Sequence, residues 1–139
     1  MQTLKDVMSH DVQVIGPDGT IREAAQQMLK GNFGMMPVEQ NDYMIGVISD
    51  RDIAIRAIAE GKDANTMVRN VMSRDVIVAN ENDSIEDAAR LMGKHQIRRL
   101  PVVNAEKKLV GIVALGDFAV ESEDNDIAAG ALSEISKAA

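Results

Sequence analysis

The segment Val7-Met8-Ser9-His10-Asp11-Val12 recurs 64 positions further on as Val71-Met72-Ser73-Arg74-Asp75-Val76. The same offset pairs Ile21, Ala24, Ala25 and Met28 with Ile85, Ala88, Ala89 and Met92, and Pro37-Val38 with Pro101-Val102. One extra residue enters the second copy within Asn104-Ala105-Glu106-Lys107-Lys108. Beyond it Gly46-Val47-Ile48 meets Gly111-Ile112-Val113, and Asp52 meets Asp117. A chain that repeats itself in this way builds one unit twice. Two copies are too few for a solenoid, so the expected architecture is a face-to-face pair with pseudo-twofold symmetry.

Each copy reads as a short α/β unit. Val12-Gln13-Val14 predicts a strand, and Gly16-Pro17-Asp18-Gly19 a turn. Thr20-Ile21-Arg22-Glu23 is a capping box, in which Thr20 caps a helix and Glu23 reaches back. Ile21, Ala24, Ala25, Met28 and Leu29 then form one apolar helical face, which Gly31 should end. Met35 to Glu39 and Met44 to Ile48 predict two strands about an Asn41-Asp42 turn. Residues 50–60 predict a second helix with Ile53, Ala54, Ala57 and Ile58 on one side, ended by Gly61. In the second copy Ser84 and Asp87 stand at the capping-box positions. Thr66 is a candidate cap for a short linker helix. The expected divisions are residues 1–62, a linker helix with the second copy over 63–121, and an acidic loop with a terminal helix over 122–139.

Composition narrows the chemistry. With no Trp, two Phe and one Tyr, the core should be aliphatic, and nine Met should fill its irregular gaps. Met28, Met35, Met36 and Met44 are read in this way. A net charge of −7 disfavours nucleic acid and anionic membrane surfaces as partners. The absence of Cys removes disulfides and thiolate metal sites. Neither His10 nor His95 has an Asp/Cys/His cluster nearby in sequence to suggest a metal site or a triad, so a surface or packing role is expected for each. No nucleophile–base pair is visible, so no catalytic residue is assigned. With neither a signal-peptide core nor a span of roughly 20 apolar residues, the chain is expected to be cytoplasmic.

The segment richest in chemistry is Gly46-Val47-Ile48-Ser49-Asp50-Arg51-Asp52-Ile53. Here a buried strand runs into a helix at Ser49, where backbone N–H groups lack intrahelical partners and favour anions. The Ser49 hydroxyl can donate to a phosphate oxygen, and Arg51 adds charge and a planar fork of donors. The Asp52 carboxylate can accept both hydroxyls of a ribose diol. The same Ser49-x-x-Asp52 spacing is also an ordinary helix cap. Gly31-Asn32-Phe33-Gly34 lacks the Lys and the spacing of a phosphate loop.

A Gly-apolar-apolar-Ser/Thr-x-x-Asp run closing the third strand of a repeated strand-helix-strand-strand-helix unit resembles the CBS motif. His95-Gln96-Ile97-Arg98-Arg99-Leu100-Pro101-Val102-Val103 resembles that family's His-Arg-apolar-Pro-Val strand. The resemblance covers residues 3–120 in both copies, and implies a stand-alone tandem pair with no fused enzyme or channel. It implies an α/β fold: two CBS motifs, each a small mixed sheet with two helices, paired by pseudo-twofold symmetry.

The resemblance further implies a regulatory module whose clefts take AMP, ADP, ATP or an S-adenosyl compound, with no resident cofactor and no metal. One cleft would use Ser49, Arg51 and Asp52, closed by Ser73. The other would use Asp117 and Arg99, closed by Ser9. In the second motif Ala114 replaces the Ser/Thr and Gly116 stands where Arg51 does, so Arg99 is the candidate to compensate. Arg98 and Arg99 face opposite ways on a strand, and the family pattern favours Arg99. The clefts should be unequal, the Ser49 cleft holding phosphorylated ligands more tightly. A homodimer through the apolar faces of residues 53–59 and 115–120 is the expected assembly, and the alternative function is a structural dimerisation module with empty clefts. No partner protein is legible.

Overall fold

The computed structural model describes residues 2–121. Along them run α1 (Leu4–Val7), α2 (Ile21–Gly31), β1 (Met35–Gln40), β2 (Tyr43–Ser49) and the single turn α3 (Asp50–Asp52). A π-helical stretch (Ile53–Ile58) and a 3-10 turn (Val68–Asn70) follow. Then come β3 (Ala79–Asn80), α4 (Ile85–His95), β4 (Arg99–Val103), β5 (Leu109–Ala114) and α5 (Leu115–Glu121). The loop and helix expected over residues 122–139 lie outside the described residues. No described helix is long and apolar enough to cross a membrane.

The chain forms two compact units, Gln13–Val76, and Met1–Val12 with Ile77–Ala139. Each holds the strands and helices of one sequence copy together with the opening segment of the other. In the Gln13–Val76 unit, β1 and β2 form an antiparallel hairpin. Asn41 and Asp42 both take positive φ, 55° and 70°, and connect Gln40 to Tyr43. Two such residues make the turn whose twist matches the strands. Ile15 bridges Val38 in parallel on one side, and Ser73 bridges Val47 antiparallel on the other.

The second unit repeats this plan. β3 is parallel to β4, β4 is antiparallel to β5, and Ser9 bridges Ile112 beyond β5. Its hairpin loop accommodates the inserted residue by having the Asn104 side chain accept from the backbone N–H groups of Glu106 and Lys108.

Each unit has its own core. Ile15, Ile21, Ala24, Met28, Met36, Val38, Ile48 and Ala57 enclose Val68, Val71 and Met72. In the other unit Leu4, Val7 and Met8 lie among Ile85, Ala88, Met92, Leu100, Val102, Val113 and Phe118. The opening segments are therefore core elements. Met28 and Met36 are buried as gap fillers, whereas Met35 and Met44 are half-buried. Phe118 is fully buried and the bulkiest such side chain described, so the core is not wholly aliphatic.

The Thr20 capping box forms as expected: Glu23 N donates to Thr20 Oγ1, and Thr20 N donates to the Glu23 carboxylate. At the second copy Ser84 Oγ accepts from Asp87 N, but the Asp87 carboxylate pairs with Arg90 instead of reaching back. Other expectations are corrected. Residues 12–14 form no strand; the pairing with β1 on this side falls on Ile15, which bridges Val38. Gly31 ends α2 as expected, though it is Asn32 that takes the left-handed cap conformation, φ 55°. The buried face of α2 is the narrow stripe Ile21, Ala24 and Met28, which leaves Ala25 and Leu29 exposed.

Residues 50–60 are not one α-helix. After one turn the bonding widens, with Ala59 N donating to Ala54 O five residues back. Only Ala57 is then buried, while Ala54 and Ile58 face solvent. Gly61, φ 78°, follows. Met67, not Thr66, precedes the linker turn and no side chain caps it, while the Thr66 carbonyl accepts from the first N–H of α2.

Candidate functional site

The β2–α3 junction is held closed by its own residues. Asp50 N donates to the Gly34 carbonyl, which fixes where the strand ends. Ser49 keeps extended backbone, and its Oγ accepts from Asp52 N at 3.0 Å. Asp52 Oδ2 in turn accepts from Ser49 N at 3.0 Å. The cap reading of this spacing is thus realised in full, on half-buried groups. Arg51 is exposed, and its N–H donates to Asp50 Oδ1. Asp52 Oδ1 lies 3.7 Å from Arg56 Nε.

Ser73 lies along the other side of β2. It exchanges two main-chain hydrogen bonds with Val47, at 2.9 and 2.8 Å. Gly46 permits this, since a Cβ there would lie 2.7 Å from the Ser73 carbonyl oxygen and 2.9 Å from Met72 Sδ. Ser49 and Asp52 are therefore in direct contact. Ser73 is offset from Ser49 by two residues along β2, about 7 Å of strand.

The second unit builds the same junction with different residues. Leu115 N donates to the Arg98 carbonyl, as Asp50 N does to that of Gly34. Asp117 Oδ2 accepts from Ala114 N at 2.8 Å. Ala114 has no hydroxyl to return, so only half of the capping box exists. Arg99 on β4 is the cross-strand partner of Ala114, so Arg99 and Asp117 converge on one residue. Arg99 is half-buried while Arg98 is exposed, as strand alternation requires. Ser9, exposed, exchanges two hydrogen bonds with Ile112, and Gly111 leaves room for Met8 and the Ser9 carbonyl.

Sequence reasoning missed Arg56. Its Nη1 donates to the carbonyls of Met72, at 3.2 Å, and Val71, at 3.5 Å. The signal was present, because Asp52 and Arg56 stand at i, i+4 with the acid first, the favourable order on a helix. His10 and His95 are exposed. Among the described residues no group of three or more His, Asp or Glu is arranged to hold a metal ion.

Comparison with known proteins matches these features to a family. The model of the CBS domain matches residues 4–58 and again 68–124. The CBS domain-containing protein YhcV of Bacillus subtilis is 47% identical over 98% of this chain and 96% of its own length. The crystal structure of CBSX2 in complex with AMP superposes with a TM-score of 0.76 at 28% identity, over 86% of this chain and 95% of that one. The CBS domain pair of protein MJ0100, in complex with 5-methylthioadenosine and S-adenosyl-L-methionine, gives 0.75 at 29% identity, over 86% and 94%.

Proposed function

The chain belongs to the CBS domain family, and from that premise we propose that it is a regulatory, non-catalytic module that binds an adenosine-type nucleotide. In one unit Ser49, Arg51, Asp52 and Ser73 would hold the ligand; in the other, Ser9, Arg99 and Asp117. The complexes of CBSX2 with AMP and of the MJ0100 pair with adenosyl compounds support the class of ligand.

The observation that carries the reading is the use of one carboxylate oxygen per unit. Asp52 and Asp117 each give Oδ2 to the N–H of the last strand residue. An ionised carboxylate offers about four acceptor sites on two oxygens. The cap occupies one of these, so a ribose diol can still be accepted. Ser49 Oγ accepts in the cap, and its own proton remains available for a phosphate oxygen. Capping and ligand contact are compatible roles for the same side chains.

The Ser49 site should prefer phosphorylated ligands, since Ser49 and Arg51 have only Ala114 and Gly116 as counterparts. A second copy of the chain is the proposed assembly partner, because Ile55 and Ile58 are exposed on the π-helical stretch. The competing reading is a structural dimerisation module without ligand, in which the capping box is a helix cap alone.

Calorimetric titration with AMP and adenosine separates the two. Asp52→Ala should weaken the tighter AMP site at least tenfold in a folded protein, from a lost charge-assisted contact of about 1.5–3 kcal/mol. Asp117→Ala should spare that site, and adenosine should discriminate less between the two. Unchanged AMP affinity in Asp52→Ala reduces Asp52 to a cap. No response of the wild type to AMP, ADP, ATP or S-adenosylmethionine leaves the structural reading standing.

A further inference from the structure

Arg56 joins two parts of the Gln13–Val76 unit that are far apart in sequence. Its Nε faces Asp52 Oδ1, the oxygen not used in the cap, at 3.7 Å. Its Nη1 donates to the main-chain carbonyls of Met72 and Val71. The next residue, Ser73, is hydrogen-bonded to Val47 on β2. The guanidinium thus spans the gap between the acid at the start of α3 and the segment that carries Ser73.

We propose that Arg56 is a positioning residue that ties the Asp52 carboxylate to the Val71–Ser73 segment, so that a ligand held at Asp52 is felt at Ser73. The tie stands on geometry alone; only the ligand coupling rests on the function proposed above.

Electrostatic stabilisation does not account for the arrangement. The Arg56 side chain is 52% exposed, and solvent screens a surface ion pair to little net value. What the guanidinium offers is shape: a rigid planar fork can address a carboxylate and two carbonyls at once, which a Lys ammonium on a flexible stem cannot. The backbone around it is also unusual. Ala59 N donates five residues back, to Ala54 O, before Gly61 closes the helix. Such widened helical turns are frequent at functional sites. A hydroxyl donating to Asp52 Oδ1 meets the same oxygen that faces Arg56. Occupancy there changes the pull on the Met72 carbonyl, and the coupling is reciprocal by linkage.

In sequence the other unit carries no arginine at the equivalent position. The sequence position corresponding to Arg56 is Glu121, and an ionised carboxylate is an acceptor and not a donor. The Ser9–Ile112 bridge is therefore an internal control for the Ser73–Val47 bridge.

The test is amide hydrogen exchange by NMR on the full chain, wild type against Arg56→Met and Arg56→Lys, with and without AMP. Without ligand, Arg56→Met should speed exchange at Val47 and Ser73 at least threefold and leave Ser9 and Ile112 within a factor of two. Saturating AMP should slow Val47 and Ser73 in the wild type, and slow them less in Arg56→Met, whose AMP affinity falls at least threefold. Arg56→Lys, which keeps the charge without the planar fork, should leave exchange raised and AMP affinity lowered as in Arg56→Met. Recovered affinity with exchange still raised would place the effect in charge and overturn the coupling. Unchanged exchange at Val47 and Ser73 in ligand-free Arg56→Met overturns the tie. An equal rise at Ser9 and Ile112 overturns it too, since that is general loosening. If AMP slows Val47 and Ser73 as strongly in Arg56→Met as in the wild type, the ligand coupling falls. If the wild type binds no AMP, the nucleotide function fails and takes the coupling with it, while the ligand-free exchange still decides the tie.

Discussion

Gly46→Ala should destabilise the chain by about 2–4 kcal/mol, although it adds one methyl group to a strand of negative φ. The new Cβ would stand 2.7 Å from the Ser73 carbonyl oxygen, where ordinary contact begins near 3.4 Å. The oxygen must retreat by roughly 0.7 Å to restore van der Waals distance. That oxygen accepts from Val47 N at 2.9 Å, and Ser73 N donates to Val47 O at 2.8 Å. A retreat of that size breaks the first bond and strains the second. Overpacking costs about 1–3 kcal/mol, and each hydrogen bond lost about 0.5–1.5 kcal/mol. Lower entropy of the unfolded chain returns at most about 1 kcal/mol. Gly16→Ala is the control, since a Cβ there meets nothing within 4 Å. Urea unfolding followed by circular dichroism reads both. If Gly46→Ala unfolds within about 0.5 kcal/mol of Gly16→Ala, close approach of the Ser73 segment is not why the motif begins with glycine.

Two further outcomes test the site and the assembly. Ser49→Ala should cost about 1 kcal/mol by removing the cap on Asp52 N, and should weaken AMP binding at least threefold by calorimetry. A stability loss with unchanged AMP affinity would leave Ser49 a cap alone. Light scattering should give about twice the 15.1 kDa chain mass, and Ile58→Asp should halve it; a monomer across micromolar concentrations removes the dimer.

Where the sequence was read correctly, local chemistry decides the structure. The Thr20–Glu23 box, the Asn41-Asp42 turn and the stripe Ile21, Ala24 and Met28 each depend on residues within one or two turns of one another. The readings that failed depend on partners distant in sequence, or on a period the pattern does not carry. Strand pairing before the turn falls on Ile15 because that residue reaches Val38, and nothing local separates it from Val14. The π-helical stretch after Asp52 has a bonding period that the spacing of Ile53, Ala54, Ala57 and Ile58 does not reveal. Leu29 continues an apolar periodicity yet is 83% exposed, because periodicity shows which residues share a face and not how far the core extends under it.

The candidate site carries a subtler case. Aligned along the chain, Met35 against Arg99 and Ser49 against Ala114 are two unrelated differences, and the inserted residue puts them at different offsets. Strand register makes each a cross-strand pair: Met35 lies opposite Ser49, and Arg99 opposite Ala114. Each unit therefore keeps one polar side chain at the strand end beside its aspartate, supplied by β2 in one and by β4 in the other. The two are not equivalent. A hydroxyl can cap the helix and donate one proton over a short reach, whereas a guanidinium brings charge and several donors on a long arm but leaves the helix start uncapped. The unit with Ser49 holds its aspartate by a reciprocal cap and adds Arg51 and Arg56 around it. The unit with Arg99 holds Asp117 by a single bond, with a cation facing the same strand end from the neighbouring strand. The expected ranking of the two sites for a phosphorylated ligand thus turns on whether a hydroxyl with a separate exposed arginine outweighs one half-buried arginine, and the paired Asp52→Ala and Asp117→Ala titrations measure that difference.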